Sequence, residues 1–198
     1  MRYVTAALVL LAAFFGVRRF RPLILGPAFA LVFLLIARWS TGGIPIGGAG
    51  WALGGLVAVV VVYASALVIP RTRRLFRDPR YRAGTGQALY TALIAVPLST
   101  VPLSTVAVEE AAFRGALWPI AWATPVLFGL WHVLPGTRTN AAASSRWATF
   151  ALMVGAGVVL ALLRHFSGGL LAPFVVHWAA NGLGVLASSL ATRFDPGP

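Results

Sequence analysis

Glu109 and Glu110 stand side by side in "VEEAAFRGAL", and they are half of the four acidic residues in the chain. Arg114 follows Glu110 at i,i+4, the spacing at which two side chains share a helical face and pair. Glu109 is turned about 100° from its neighbour on a 3.6-residue helix, so it can address a different partner. Two more polar pairs recur at the same interval: Phe128 with His132 in "FGLWH", and His177 with Asn181 in "HWAAN". Adjacent carboxylates in a low dielectric cannot both ionise cheaply; Arg114 can hold one charged and leave the other for proton transfer. A carboxylate at Glu109 beside His132 can activate water, while His177 and the Asn181 amide can donate to a developing oxyanion. That equipment hydrolyses a peptide bond without a serine or cysteine nucleophile. Glu109, His132 and His177 could equally be three ligands of a divalent metal such as zinc, with water as the fourth. Spacing alone leaves both chemistries open.

The elements that must position these groups are apolar. Runs separated by charge or turn residues give about seven spans: 3–17, 22–37, 51–70, 87–118, 120–134, 147–163 and 170–190. The fourth is too long for one straight crossing and contains the tandem "VPLSTVPLST". Its Pro97 and Pro102 are expected to kink it or to divide it, which would make eight spans. The expected turn near Trp118–Ile120 puts Glu109 about eleven residues before it and His132 about twelve after, each roughly 17 Å deep at 1.5 Å per residue. The last span starts on the same side, after "RHFSGG", and reaches His177 and Asn181 at roughly 12–18 Å. The expected fold is all-α, a polytopic transmembrane bundle with these residues at one depth.

Composition supports that class. Of 198 residues, 59% are hydrophobic and only 10% charged, against about a quarter in a soluble domain. The net charge is +12 and every basic residue is arginine. Between apolar runs, such arginines match loops that meet anionic lipid headgroups rather than nucleic acid. Cysteine is absent, which excludes disulfides, thiolate metal sites and a cysteine nucleophile. With seven spans, twelve arginines fall on one side and three (Arg2, Arg38 and Arg164) on the other, with Arg114 inside a span. The positive-inside rule then expects the N-terminus outside and the C-terminus cytoplasmic in a multi-pass cell-membrane protein. The first apolar run, followed at once by Arg18, Arg19 and Arg21, reads as a retained helix rather than a cleaved signal. His165 reads as an interfacial loop residue, and Trp51, Trp118, Trp131, Trp147 and Trp178 as belt or packing residues.

The three motifs, EExxxR at Glu109–Arg114, FxxxH at Phe128–His132 and HxxxN at His177–Asn181, stand in one order on separate spans. In this the chain resembles the CPBP family of intramembrane proteases, the CAAX-protease and bacteriocin-processing (Abi) family, over roughly residues 87–190. The resemblance implies an all-helical membrane endopeptidase acting on a membrane-associated protein or peptide. It implies that Glu109 and His132 activate water, that His177 and Asn181 stabilise the oxyanion, and that Glu110, Arg114 and Phe128 support them. The family has been described both as metal-dependent and as using a metal-free glutamate mechanism; the second is the favoured reading, no cofactor is firmly implied, and a divalent metal such as zinc stays open. It also divides the chain into N-terminal membrane helices with a basic cytoplasmic loop (1–86), a catalytic membrane core (87–190) and a short tail (191–198). The short, uncharged connector Trp118–Thr124 departs from the pattern. Two other readings fit the polar residues. Intramembrane Glu and His also build relays in proton- or ion-coupled carriers, although no inverted repeat is visible. A non-catalytic immunity protein could retain the same motifs.

Overall fold

A bilayer core offers no water to backbone N–H and C=O groups, so apolar runs of this length fold as helices. In the computed structural model of this chain, the described residues are 22–41, 46–76, 85–96, 106–133 and 145–194, with Tyr3, Val4, Ala7, Leu8 and Leu11 near the N-terminus. Every regular element among them is helical. In chain order they are α1 (Pro22–Thr41), α2 (Ala49–Val68), α3 (Pro70–Leu75), α4 (Thr85–Tyr90), α5 (Val106–Glu110), α6 (Thr124–Val133), α7 (Arg146–Ser167) and α8 (Leu171–Phe194). A π-helical turn continues α4 over Thr91–Ala95 and another continues α5 over Ala111–Ala116.

Three helices, α2, α7 and α8, are long and apolar enough to cross a membrane. Shorter apolar helices occupy Pro27–Trp39 within α1 and Thr124–Val133. The described residues therefore support a helical membrane protein without reaching the expected count of seven. The expected first span, 3–17, lies almost wholly outside the described residues, and so does the repeat carrying Pro97 and Pro102. The fifth expected span starts late, at Thr124 rather than Ile120. A 3-10 turn over Trp118–Ile120, with Pro119 near its start, reverses the chain first. The Thr124 hydroxyl then donates to the Ala121 carbonyl at 2.9 Å. At the other end of the chain α8 runs to Phe194, so the tail expected from 191 begins inside a helix.

Close approach is what these helices have in place of a hydrophobic drive to associate, since lipid is as apolar as leucine. On α1, Ala30, Phe33 and Ala37 form a buried stripe at helical spacing, and α1 packs against α5 and its π turn. There Gly115 lets the backbone approach: a Cβ on it would sit 3.3 Å from Ala37 Cβ. The α6–α7 crossing is tighter. A Cβ on Gly157 would stand 2.9 Å from Pro125 Cα, and one on Gly129 would stand 2.6 Å from Val154 Cγ2. α8 lies against α2 and against the π turn after α4. The buried core gathers where α1, α5, α6, α7 and α8 meet, around Phe33, Phe113, Phe128, Trp131, Leu160 and Val176.

Candidate active site

The site begins at a change of helix type. α5 is α-helical through Glu110 and π-helical from Ala111 to Ala116. The Leu117 amide closes the wider turn by donating to the Ala112 carbonyl at 2.9 Å. Such π-bulges are often found at functional sites. This one is buried at every position from Ala111 to Ala116, where α1 covers it on one side and α6 and α7 also pack against it.

Both glutamates point into the bundle and are 2% exposed, against the ordinary solvated state of a carboxylate. Glu110 Oε1 accepts from Arg114 Nη1 at 3.1 Å and from His177 Nδ1 at 2.6 Å. An imidazole nitrogen that bonds a carboxylate this closely carries the proton. The other nitrogen of the same ring, His177 Nε2, then faces Glu109 Oε2 at 3.6 Å. From the opposite side His132 Nε2 faces Glu109 Oε1 at 3.9 Å. The His132 tautomer is set in the same way, since its Nδ1 lies 2.8 Å from the Phe128 carbonyl, which can only accept. Both rings therefore turn Nε2 towards one carboxylate. The Glu109 carboxylate has a further partner, the Trp131 indole, which donates to Oε1 at 3.1 Å.

Phe128 packs the centre of this cluster. Its ring lies 4.5 Å from the His132 ring, 5.6 Å from the His177 ring and 5.4 Å from Phe113. The fully buried Arg114 guanidinium sits 4.5 Å above the same ring, a cation–π contact in a desolvated setting. Arg114 Nη2 also donates to the Gly157 carbonyl at 3.3 Å. The buried Nε of Arg114 and Oε2 of Glu110 make no hydrogen bond.

Five of the expected polar residues thus converge: Glu109, Glu110, Arg114, His132 and His177, with Phe128 among them. The Glu110–Arg114 i,i+4 pair forms, and three helices bring these side chains within reach of one another. Glu109 and Glu110 do address different partners, Trp131 and His132 against Arg114, while the His177 ring spans both. Asn181 is not part of the contact set. It is exposed, one turn beyond His177 on α8. As for a metal, no group of three or more His, Asp or Glu side chains among the described residues is placed to hold one. Tetrahedral ligands about 2.1 Å from zinc lie roughly 3.4 Å apart, closer than the 3.6 and 3.9 Å found here. Glu109 Oε1 is also already engaged by Trp131. The donors as arranged do not fit the ion.

Two supporting residues were not legible in the sequence. Trp131 reads as a belt or packing residue, and adjacency to His132 is the only sequence signal of its reach to the same carboxylate. Arg164 reads as a surface arginine on the arginine-poor side, but it is buried. Its Nε donates to the Arg114 carbonyl at 3.3 Å, and its guanidinium lies 4.9 Å above the Trp118 ring. His165 belongs to the last turn of α7, exposed and edge-on to Phe166.

No curated protein and no solved structure matches the chain. A family model does: type II CAAX prenyl endopeptidase Rce1-like, over residues 87–183. That range contains the two glutamates, both histidines, Trp131 and the two buried arginines, and the family is one of proteases. Over residues 87–183, just under half of its length, the chain is similar to the type II CAAX prenyl endopeptidase Rce1-like family.

Proposed function

We propose that this chain is an intramembrane endopeptidase that hydrolyses a peptide bond of a membrane-associated protein or peptide with water activated between Glu109 and His132. The observation that carries the reading is the buried Glu109 carboxylate flanked by the Nε2 atoms of His132 and His177. Separations of 3.6 and 3.9 Å exceed direct hydrogen bonds and suit a bridging water. A water about 2.8 Å from both His132 Nε2 and Glu109 Oε1 would subtend roughly 90° between them, near its own preferred geometry. His132 is also the open edge, its side chain 25% exposed against 3% for Glu109.

Charge accounting points to the proton that moves. Two carboxylates and one guanidinium leave the buried cluster one negative charge in excess. One additional proton makes it neutral, which a low-dielectric setting strongly favours. In the forward step the water oxygen attacks the carbonyl carbon and its proton passes to Glu109 or His132. The carbonyl oxygen becomes an oxyanion within reach of a protonated His177 Nε2, with Asn181 as a second donor. Collapse breaks the C–N bond, and the held proton passes to the leaving amine. The substrate class is a CAAX-type protein or a bacteriocin-like peptide. The enzyme lies in the cell membrane with its N-terminus outside and its C-terminus cytoplasmic, as the arginine asymmetry supports.

Cleavage of a lipidated CAAX peptide by purified protein in detergent tests this, with a chelator arm included. Glu109→Gln and His132→Ala should each lose at least about 100-fold in kcat/KM while remaining folded. Full activity in both variants defeats the proposal.

A further inference from the structure

We infer that Trp131 is a positioning residue of the site, holding the Glu109 carboxylate in the rotamer that faces His132 and His177. This rests on the hydrolase reading above. Glu109 Oε1 is shared by the Trp131 indole N–H at 3.1 Å and by the outlook of His132 Nε2 at 3.9 Å. Of these only the indole is a direct hydrogen bond, so it is what pins Oε1. With Oε1 fixed, Oε2 is left to face His177 Nε2. Glu110 has Arg114 to orient it, whereas Glu109 has no cation in hydrogen-bond contact among the described residues.

The donor is itself held in place. Trp131 is buried on α6 next to His132. Phe113 meets the Trp131 ring edge-on, with centroids 5.9 Å apart. The same Phe113 packs edge-on against Phe128. One aromatic wedge on the π turn therefore fixes the ring that orients Glu109 and the ring that backs both histidines. A rigid indole loses little freedom in ordering a carboxylate, and a hydrogen bond to an ionised group in a dry site is of the strong kind.

The test uses Trp131→Phe, which keeps an aromatic ring against Phe113 and removes only the N–H donor. Positioning predicts a kcat lower by about 10- to 100-fold, the worth of one charge-assisted hydrogen bond, with KM within about twofold of wild type. A purely structural role predicts reduced thermal stability with kcat per folded molecule unchanged, and that result overturns the inference. Wild type and His132→Ala run alongside. If His132→Ala cleaves as well as wild type, the hydrolase reading itself fails. If His132→Ala is inactive and Trp131→Phe turns over at full rate, only the positioning role fails. A second measurement needs no substitution at 131 to remain folded. In the 15N–1H spectrum of the indole groups, the Trp131 resonance should move upfield in Glu109→Ala, where its acceptor is lost. An indole spectrum that is the same in wild type and Glu109→Ala also overturns the inference.

Discussion

Replacing Arg114 with methionine should strand a buried carboxylate. The arginine is fully buried, with Nη1 3.1 Å from Glu110 Oε1, Nη2 3.3 Å from the Gly157 carbonyl and its guanidinium 4.5 Å above Phe128. Removing one partner of a buried pair costs about 3–5 kcal/mol, because the other charge is left uncompensated. Glu110 keeps His177 Nδ1 at 2.6 Å, which puts the loss at the lower end, about 3 kcal/mol. The Gly157 bond adds about 1 kcal/mol. Loss of the cation–π contact is largely offset by a methionine sulfur over the same ring. The i,i+4 pair survives in an isolated α5, where it is worth only about 0.3–0.5 kcal/mol. Nearly all of the loss therefore registers in the folded state, for a total of about 3–4 kcal/mol. In Glu110→Gln/Arg114→Met no charge is stranded, and the cost should fall to about 2 kcal/mol. Unfolding in mixed micelles of increasing SDS fraction, on wild type, both single variants and the double, gives the coupling energy. The expected value is about 2–3 kcal/mol, above the roughly 0.6 kcal/mol average of interhelical polar contacts in membranes. Single-variant losses under about 1 kcal/mol, or a double variant equal to the sum of the singles, refute the stranded-charge reasoning.

Four further outcomes follow from the packing and the hydrogen bonds. Gly157→Val should cost about 1–3 kcal/mol by overpacking and lower activity through Arg114, because its Cβ would stand 2.9 Å from Pro125 Cα, a backbone atom that cannot swing aside. Gly155→Ala, whose Cβ would meet nothing within 4 Å, should instead be neutral or stabilising in the same SDS titration. Arg164→Leu should lose about 1–3 kcal/mol in the SDS titration by leaving the Arg114 carbonyl unsatisfied, and unchanged stability would remove Arg164 from the support of the site. Ser145→Ala should lose about 0.5–2 kcal/mol, since the Ser145 side chain caps α7 by accepting from the Ala148 amide at 3.0 Å; an unaltered SDS midpoint would show that α7 starts without that cap.

Helical identity and the convergence of Glu109, His132 and His177 were legible because both are periodic. Apolar run length implies helix in lipid, and counting 1.5 Å per residue from a shared turn gives depth. Asn181 shows where that arithmetic stops. It shares a helix and a face with His177, yet depth says nothing about how far a side chain stands from its neighbours, and Asn181 is exposed. Arg164 shows a second limit. An arginine at the end of an apolar run marks a boundary equally well whether it turns to the headgroups or inward. What decides is the Arg114 carbonyl, which accepts from Arg164 Nε and lies in a π turn, a helix type the sequence does not announce.

The two π turns connect these limits. In a π-helix the carbonyl of residue i is met by the amide of residue i+5. For Arg114 that residue is Pro119, and for Ala92, inside the other π turn, it is Pro97. Proline has no N–H to give. In each case a side chain from a distant helix supplies the donor: Arg164 Nε to the Arg114 carbonyl at 3.3 Å, and Trp178 Nε1 to the Ala92 carbonyl at 3.0 Å. Trp178 adjoins His177, and Arg164 braces the residue that pairs with Glu110. A buried carbonyl without a partner costs enough that each wide turn needs its remote donor in place. The π turn over Thr91–Ala95 is thereby tied to α8, and the one over Ala111–Ala116 to α7. The motif residues can be read in the chain, but no spacing rule links them to the two remote donors that meet these turns.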